Sequence, residues 1–263
     1  MPMDAHPFSA AGSDRNFSPG APSRSADILG PLPRWQLVSE GQSGRHPHAA
    51  IASVRIHIVG SGRTTAFFSG TGWFVAPDRV ITAAHVIDLR KAWASVPGAS
   101  SWHLEVVPGQ SPTSTQPFGT TWVERVVRHP RFVDDGISPW DLAVMKVKPP
   151  SNFVAALCID AQPAPVSGGA ALKIAGYAWN GGRANAQFQH TGQVQAREGT
   201  AIFYDIDTED GQSGSPLLMS VGAVDVSVGV HTGGQGRGLS ALARSLNSGI
   251  AFDASTLAWL RSV

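Results

Sequence analysis

Short apolar runs separated by turn residues recur along most of the chain and predict β-strands. Before the prolines at 149–150 the runs are Ser53–Val59, Gly72–Ala76, Arg79–Thr82, Leu104–Val107, Trp122–Val127 and Leu142–Val147. After them the runs are Ala171–Tyr177, Gln187–Val194, Ala201–Asp205, Pro216–Ser220 and Val226–Val230. Many short strands at this spacing are typical of β-sandwiches and barrels. The two similar sets predict an all-β protein with two barrels.

The two ends of the chain differ from this pattern. In residues 1–33, Pro, Ser and Gly make up 14 of 33 positions without helical or strand periodicity, which predicts a disordered leader or propeptide-like segment. At the other end, Asp253 or Ser255 caps a helix in which Leu257 and Leu260 form an apolar pair. We therefore predict a leader at 1–33, one barrel at 34–150, and a second at 151–263 that ends in a short helix.

Composition excludes several classes of protein. The 263 residues carry 20 Lys and Arg against 19 Asp and Glu, a net charge of +1, so nothing indicates nucleic-acid binding. Charged residues are 15% of the chain, against roughly 25% in an average domain, and 29 glycines favour turn-rich β structure over long helices. No apolar run reaches the ~18–20 residues that span a bilayer. We therefore expect a monomer that binds neither nucleic acid nor a membrane.

Cysteine content and the first residues bear on the compartment. Cys158 is the single cysteine, so no internal disulfide can form and the fold must be held by packing. The first twelve residues lack the basic start and the apolar run of an export signal. These features predict a cytoplasmic protein, with secretion by another route left open.

Three segments carry candidate chemistry in the chain order His, Asp, Ser. His85 lies in VITAAHVI, Asp141 in SPWDLAVMKV and Ser213 in GQSGSP. A serine hydroxyl is a poor nucleophile, so an imidazole must take its proton and a buried carboxylate must hold the imidazole in the required tautomer. Flanking glycines let the backbone N–H groups of Gly211 and Ser213 turn toward an oxyanion. Each segment alone has a simpler interpretation, as a core histidine, a strand-start cap or a tight turn, but the three together predict a catalytic triad.

These segments and their surroundings resemble chymotrypsin-fold serine proteases, specifically the glutamyl endopeptidase (V8-like) branch. The resemblance runs from about Ile28 to Val263 and includes TGWFVAPDRVITAAHV, AGYAWNGG, QFQHTG, YDIDT, GVHTGG and NSGIAF. It implies two six-stranded antiparallel β-barrels with an active site in the cleft between them. It also implies that the start of the mature enzyme lies near Ile28. Gly70 and Val86 stand where secreted relatives carry a disulfide beside the histidine, and this departure fits an intracellular protein.

By resemblance, Thr208 and His231 match the pocket residues that hydrogen-bond a substrate carboxylate. A hydroxyl and an imidazole could satisfy an acidic side chain. This pair predicts cleavage after Glu, with Asp second. Backbone groups of Thr232, Gly233 and Gly234 are expected to pair with the substrate as an added strand.

Asp207 leaves an alternative open. It lies six residues before Ser213, where trypsin-type enzymes keep the acid that attracts Lys or Arg, so its charge alone predicts basic specificity. Acid-specific relatives also have Asp-Thr at these two positions, and trypsin-type enzymes lack a histidine where His231 lies. We rank Glu first and keep Lys or Arg as the alternative.

The predicted function is a serine endopeptidase that hydrolyses peptide bonds through an acyl-enzyme, with no metal and no cofactor. Protein or peptide chains are the predicted substrates. Two further alternatives stay open: a pseudo-protease that only binds an extended peptide in the cleft, and an intracellular processing protease that cuts one dedicated protein partner.

Overall fold

The computed structural model describes residues 34–133, 138–163, 168–179, 186–233 and 245–263. The strands in these ranges are β1 (Gln36–Leu37), β2 (Ile51–Gly60), β3 (Arg63–Ala76), β4 (Arg79–Thr82), β5 (Ala99–Pro108), β6 (Thr121–Arg128), β7 (Ala143–Val147), β8 (Ala171–Tyr177), β9 (Gln187–Glu198), β10 (Ala201–Tyr204), β11 (Pro216–Val221), β12 (Val224–Gly233) and β13 (Asn247–Ala251). The α-helices are α1 (Glu40–Ser43), α2 (Arg90–Ser95) and α3 (Ala254–Ser262), and short 3-10 helices lie at His48–Ala50, Ala84–Ile87 and Ala155–Leu157.

The first barrel consists of six antiparallel strands that close in the order β2, β3, β4, β7, β6, β5. In β2 the apolar side chains of Val54, Ile56 and Ile58 alternate along the strand, as expected for residues that face a barrel interior. Large side chains from the neighbouring strands, including Trp73 and Met145, complete a fully buried core.

The second barrel closes in the order β8, β9, β10, β13, β12, β11, because β8 pairs with both β9 and β11. Its core is a separate cluster of buried apolar side chains: Leu172, Ile174, Val194, Ile202, Tyr204, Ile206, Leu217, Val226, Val228 and Ala251. The predicted fold class, two six-stranded antiparallel barrels with a short C-terminal helix, is confirmed.

Each barrel also holds a piece of chain from the far end of the sequence. Strand β1, which precedes the first barrel, pairs with β9 of the second. Helix α3 follows the second barrel, yet its Leu257 and Leu260 belong to the apolar cluster of the first. The boundaries predicted at 33/34 and 150/151 stay predictions, and the predicted leader lies outside the described residues.

Several short elements differ from the sequence-based expectation. Only the C-terminus was expected to be helical, but α1 and α2 also form, each shorter than two turns. Strand β13 has the composition Asn-Ser-Gly-Ile-Ala, which is poor in strand-favouring residues. It forms because β10 and β12 flank it and pair with it on both edges. Among the described residues, no helix is long and apolar enough to cross a membrane.

A buried polar network joins the two barrels. Gln187 of β9 donates from Nε2 to His48 O (2.8 Å) and to Tyr177 Oη (3.0 Å). Tyr177 in turn donates from Oη to Gln110 O, just after β5 (3.1 Å). Because buried polar groups must find partners, these bonds restrict how the barrels can sit against each other.

Candidate active site

His85 lies just after β4 in the 3-10 helix Ala84–Ile87, and Asp141 lies just before β7. Since β4 and β7 are paired neighbours, the two side chains meet at one end of the first barrel. Asp141 accepts two hydrogen bonds from the same residue: Oδ1 from the His85 backbone N–H (2.8 Å) and Oδ2 from the ring Nδ1 (2.5 Å). The carboxylate is 3% exposed. A carboxylate only accepts, so Nδ1 carries the proton and Nε2 is left as the basic nitrogen.

Residues 209–215, which lead into β11 and contain the predicted nucleophile Ser213, are called the nucleophile loop. Gly211 and Gly214 have φ of 93° and 89°, a left-handed region that favours glycine. A Cβ at Gly214 would also overlap the carbonyl oxygen of Thr71. Hydrogen bonds from Gly214 N to His231 O (2.8 Å) and from Ser215 N to Gln212 O (3.0 Å) close the loop against itself and β12.

The loop leaves two backbone donors without acceptors. Among the described residues, neither the Gly211 N–H nor the Ser213 N–H donates a hydrogen bond. A pair of unused N–H groups on either side of one residue is the arrangement that an oxyanion hole requires.

The nucleophile loop, in the second barrel, contacts β3 of the first barrel close to the segment that carries His85. The Thr71 N–H donates to Ser213 O (2.9 Å). A Cβ built at Gly70 would lie 2.9 Å from the methyl groups of Val86 and 3.0 Å from Ser213 O. His85 Nε2 is buried and has no hydrogen-bond partner in the described part of the chain. The positions where a disulfide was expected in relatives are therefore adjacent here, and the Val86 side chain fills that space.

Thr208 directly precedes the nucleophile loop, His231 lies within β12, and both are buried. The Thr208 hydroxyl has no hydrogen-bond partner within the described ranges. His231 is 2% exposed, and its Nδ1 lies 2.6 Å from Tyr204 Oη and 3.1 Å from Ser248 O. Burial lowers the pKa of His231 to about 3, the nearby Ser248 carbonyl, which would accept a bond from a charged imidazole, opposes this shift, and the charge of His85 adds to it. Burial therefore favours the neutral imidazole.

Asp207 has a counter-charge that the sequence patterns did not predict. It is fully buried, and Arg34 binds both carboxylate oxygens: Nη2 to Oδ1 (3.1 Å), and Nε and the backbone N to Oδ2 (3.1 and 2.9 Å). Arg34 Nη2 also donates to Asp205 O (2.6 Å). The hydrogen bonds and charge of Asp207 raise the pKa of Arg34. The carboxylate is thus neutralised from within the chain, by a residue six positions after Ile28.

Of the three residues expected to pair with a substrate strand, Thr232 and Gly233 lie in the described residues. Within the ladder between β12 and β13, His231 pairs with Gly249 and Gly233 with Ser248, so Thr232 is bulged and has no ladder partner. Gly234, the last residue expected to pair with substrate, lies outside the described residues. No group of three or more metal-ligating side chains forms in the described ranges.

Sequence reasoning missed four residues that contact this site: Arg34, Thr71, Tyr204 and Trp179. Thr71, Trp179 and Tyr204 lie inside motifs that carried the resemblance, so position in a motif was the available signal. Arg34 lies outside those motifs, and it acts on a residue that only folding brings near.

The chain is similar to a known protein family, to a known protein and to a solved structure. Residues 70–229 match the family described as trypsin-like peptidase domain. A protein named Glutamyl endopeptidase from Bacillus licheniformis is 27% identical over 194 residues, covering 72% of this chain and 56% of the relative. The chain thus spans about half the length of that relative. A solved structure titled as Glu endopeptidase in complex with MPD superimposes with a TM-score of 0.67 at 22% identity, over 89% of this chain and 98% of the other, and so shares the fold.

Proposed function

Because the chain belongs to the trypsin-like peptidase domain family, we propose that it is a serine endopeptidase that cleaves protein or peptide chains after glutamate. The predicted resemblance to chymotrypsin-fold, V8-like proteases is confirmed. Serine peptidase activity on protein or peptide substrates follows from the family. The residues that perform it, and the preference for Glu, are the proposal.

The double contact between Asp141 and His85 carries the catalytic part of the proposal. With Nδ1–H held by Asp141, His85 Nε2 takes the proton of Ser213 as its Oγ attacks the carbonyl carbon. His85 then returns that proton to the leaving amine, and the acyl-enzyme remains on Ser213. Water, deprotonated by the same Nε2, releases the acid product and restores the serine.

The oxyanion that forms in each step requires donors that are already in place. The unused N–H groups of Gly211 and Ser213 are the proposed pair. Such donors are worth about 2.7–4 kcal/mol each in related chemistry, because they need no reorganisation when charge develops.

Arg34 argues for glutamate and against the Lys or Arg alternative. In a trypsin-type pocket the buried acid must be free to bind a substrate cation. Here Arg34 binds both oxygens of the fully buried Asp207 and compensates its charge, which disfavours binding of a substrate cation to this acid.

Two groups are available to bind a substrate carboxylate. The Thr208 hydroxyl is buried and unpaired within the described ranges, and can donate to an incoming acid. Tyr204 is fully buried, and its hydroxyl has His231 Nδ1 as its partner there. If Tyr204 donates to Nδ1, the neutral imidazole carries its proton on Nε2, which is then the second donor. Glu is expected to fit better than the shorter Asp.

The experiment that tests this function combines a peptide library with an active-site probe. We expect cleavage after Glu and labelling of Ser213 alone by a fluorophosphonate. Replacing Ser213 by Ala should abolish both, since loss of the triad serine in subtilisin costs on the order of 10⁶ in kcat. Ser215→Ala is the matched control, because Ser215 is a buried serine of the same loop whose hydroxyl has no partner within the described ranges. A folded protein that neither cleaves nor labels would favour the pseudo-protease.

A further inference from the structure

We infer that Thr71 is a positioning residue for the oxyanion hole: its hydroxyl, on the first barrel, orients the nucleophile loop of the second. This inference rests on the proposed function, since it concerns how the donors of that reaction are held. Thr71 lies in β3 and is fully buried. Thr71 is proposed to act through its bonds to the carbonyls of Gly211 and Ser213 and not through contact with the substrate.

The direction of each hydrogen bond of the Thr71 hydroxyl is determined by its partners. The Tyr177 backbone N–H can only donate, so Thr71 Oγ1 accepts that bond (2.9 Å). The single hydroxyl proton is therefore available to one acceptor. Gly211 O lies at 2.9 Å and Tyr177 O at 3.5 Å, so the proton goes to Gly211.

The backbone of Thr71 holds the same loop at a second point. Its N–H donates to Ser213 O (2.9 Å), and its own carbonyl accepts from Thr82 Oγ1 (2.7 Å). One buried residue of β3 thus binds the carbonyls of Gly211 and Ser213, on both sides of Gln212. The loop is pinned to the first barrel rather than only to its own.

The carbonyls of the loop determine where its N–H groups point, because a trans peptide directs its C=O and N–H to opposite sides. The Gly211 N–H shares a peptide with Asp210 O, which accepts from Trp179 N (2.6 Å). The Ser213 N–H shares a peptide with Gln212 O, which accepts from Ser215 N (3.0 Å). Both donors therefore point away from these bonds.

Thr71 removes the freedom that would remain at Gly211. With φ of 93°, Gly211 is a residue without a Cβ to restrict its backbone. The peptide that follows it is held within the loop only at its N–H, which Gln212 donates to Glu209 O (3.0 Å), and the Thr71 hydroxyl holds the carbonyl end of the same peptide (2.9 Å). A misplacement of about 1 Å in catalytic groups can cost about 10²-fold in rate, so a small movement of this loop is sufficient to matter.

The test compares Thr71→Val, which keeps the shape but removes the hydroxyl, with Thr71→Ser, which keeps the hydroxyl. With the best library peptide as substrate, we expect Thr71→Val to lower kcat about 10- to 100-fold with little change in KM. Thr71→Ser should retain kcat to within about threefold. The matched control is Thr121→Val, because Thr121 is also a buried threonine of the first barrel, and its hydroxyl donates to Lys148 O (2.6 Å), away from the loop.

A second readout separates positioning from general damage. A peptide aldehyde adds Ser213 Oγ to give a tetrahedral adduct whose oxygen occupies the oxyanion site, whereas the matching product peptide makes no such adduct. For Thr71→Val, the inhibition constant of the aldehyde should rise by the factor by which kcat falls, and that of the product peptide should not change. Thermal unfolding of each variant shows that the measured protein is folded.

Either of two results would overturn the inference. One is a folded Thr71→Val variant with unchanged kcat and unchanged aldehyde affinity, and the other is a loss of kcat in Thr121→Val equal to that in Thr71→Val. If Thr71→Val does not fold, Thr71→Ser and Thr71→Cys form the decisive pair. The two variants differ only in the side-chain atom, a hydroxyl oxygen in Ser and a weakly donating sulfur in Cys. Equal kcat in these two variants would overturn the inference. A wild-type protein that neither cleaves nor labels would instead refute the proposed function.

Discussion

At the scale of single residues, the proposed preference for Glu depends on how the charge of Asp207 is compensated. The carboxylate is buried, whereas the Arg34 side chain that binds it is 49% exposed. An unpaired buried acceptor costs about 1–3 kcal/mol, and an unpaired charge beneath the pocket would also repel an acidic substrate. We therefore expect Arg34 to contribute to both folding and specificity.

A double-mutant cycle tests this role of Arg34. Arg34→Gln should lower kcat/KM for a Glu substrate about tenfold, because Asp207 then keeps a charge without its guanidinium partner. Adding Asp207→Asn to Arg34→Gln should restore most of that loss, since both charges are then absent. The opposite result is a wild-type enzyme that cleaves after Lys or Arg and loses this cleavage in Asp207→Asn. That result would establish the trypsin-like alternative.

Tyr204 is expected to affect substrate binding through a single group, its hydroxyl, which lies 2.6 Å from His231 Nδ1. If Tyr204 donates to His231 Nδ1 as proposed, replacing it by Phe removes that donor, and Nδ1 can then carry the proton and donate to Ser248 O. Nε2 would then be an acceptor and could no longer bind a carboxylate. We expect Tyr204→Phe to raise KM for a Glu substrate about tenfold, the value of one hydrogen bond to a charged group, with kcat preserved.

The control for Tyr204 is the rate of fluorophosphonate labelling, which does not use the pocket. This rate should be equal in the wild type and in Tyr204→Phe. A loss of labelling would show that the substitution damages the triad, and an unchanged KM would show that His231 does not need Tyr204.

At the scale of elements, α3 stabilises a barrel to which it is not adjacent in sequence. Asp253 caps the helix by accepting from Thr256 N (2.7 Å), and this bond lowers the pKa of Asp253. The helix then places Leu257 and Leu260 in an apolar cluster that consists mostly of first-barrel residues. The contribution of α3 is therefore mainly tertiary, as is usual for short helices.

Leu257→Ala tests the contribution of α3. Removing a buried leucine typically costs about 2–5 kcal/mol, so the free energy of unfolding measured with denaturant should fall by that amount. Ser262→Ala is the control at the end of the same helix, where the side chain is exposed and bonds only to Trp259 O (2.8 Å). Equal stability of the two variants would contradict the packing role of α3.

At the scale of the whole molecule, buried histidines link stability to pH. Burial lowers the pKa of His48 to about 4 and that of His231 to about 3. In the unfolded chain a histidine titrates near 6.5. Between these values the unfolded state binds more protons than the folded state, so stability is fully present above about pH 6.5 and declines as the pH falls.

Denaturant unfolding at pH 7, 6 and 5 measures this decline. Each of the two histidines contributes at most about 1.4 kcal/mol per pH unit in this window. His48→Gln should give a shallower slope than the wild type, because one of the titrating groups is then absent. If the slopes coincide, His48 does not titrate on unfolding, and the linkage argument fails for that residue.

Local sequence determined the elements whose signal is contained in a few neighbouring residues. The bounds predicted for Arg79–Thr82 and Ala171–Tyr177 coincide with β4 and β8, since alternating or apolar runs bounded by turn residues define a strand without outside help. The glycines around Ser213 likewise predicted a tight turn, and Gly211 and Gly214 have the positive φ that such turns use. The segments of His85 and Asp141 were identifiable for the same reason, and their catalytic roles stay predictions.

Only the tertiary structure decided the contacts between distant segments. Arg34 and Asp207 are 173 positions apart, and Thr71 and Gly211 are 140 apart. Strand β13 has little strand preference of its own, and forms because two neighbours supply its hydrogen bonds. Closing a barrel brings together residues whose partners are set by strand order and register, which no local pattern contains. For this reason the sequence indicated the candidate chemistry of the site, while the counter-charge of Asp207 and the contacts of Thr71 with the nucleophile loop emerged from the fold.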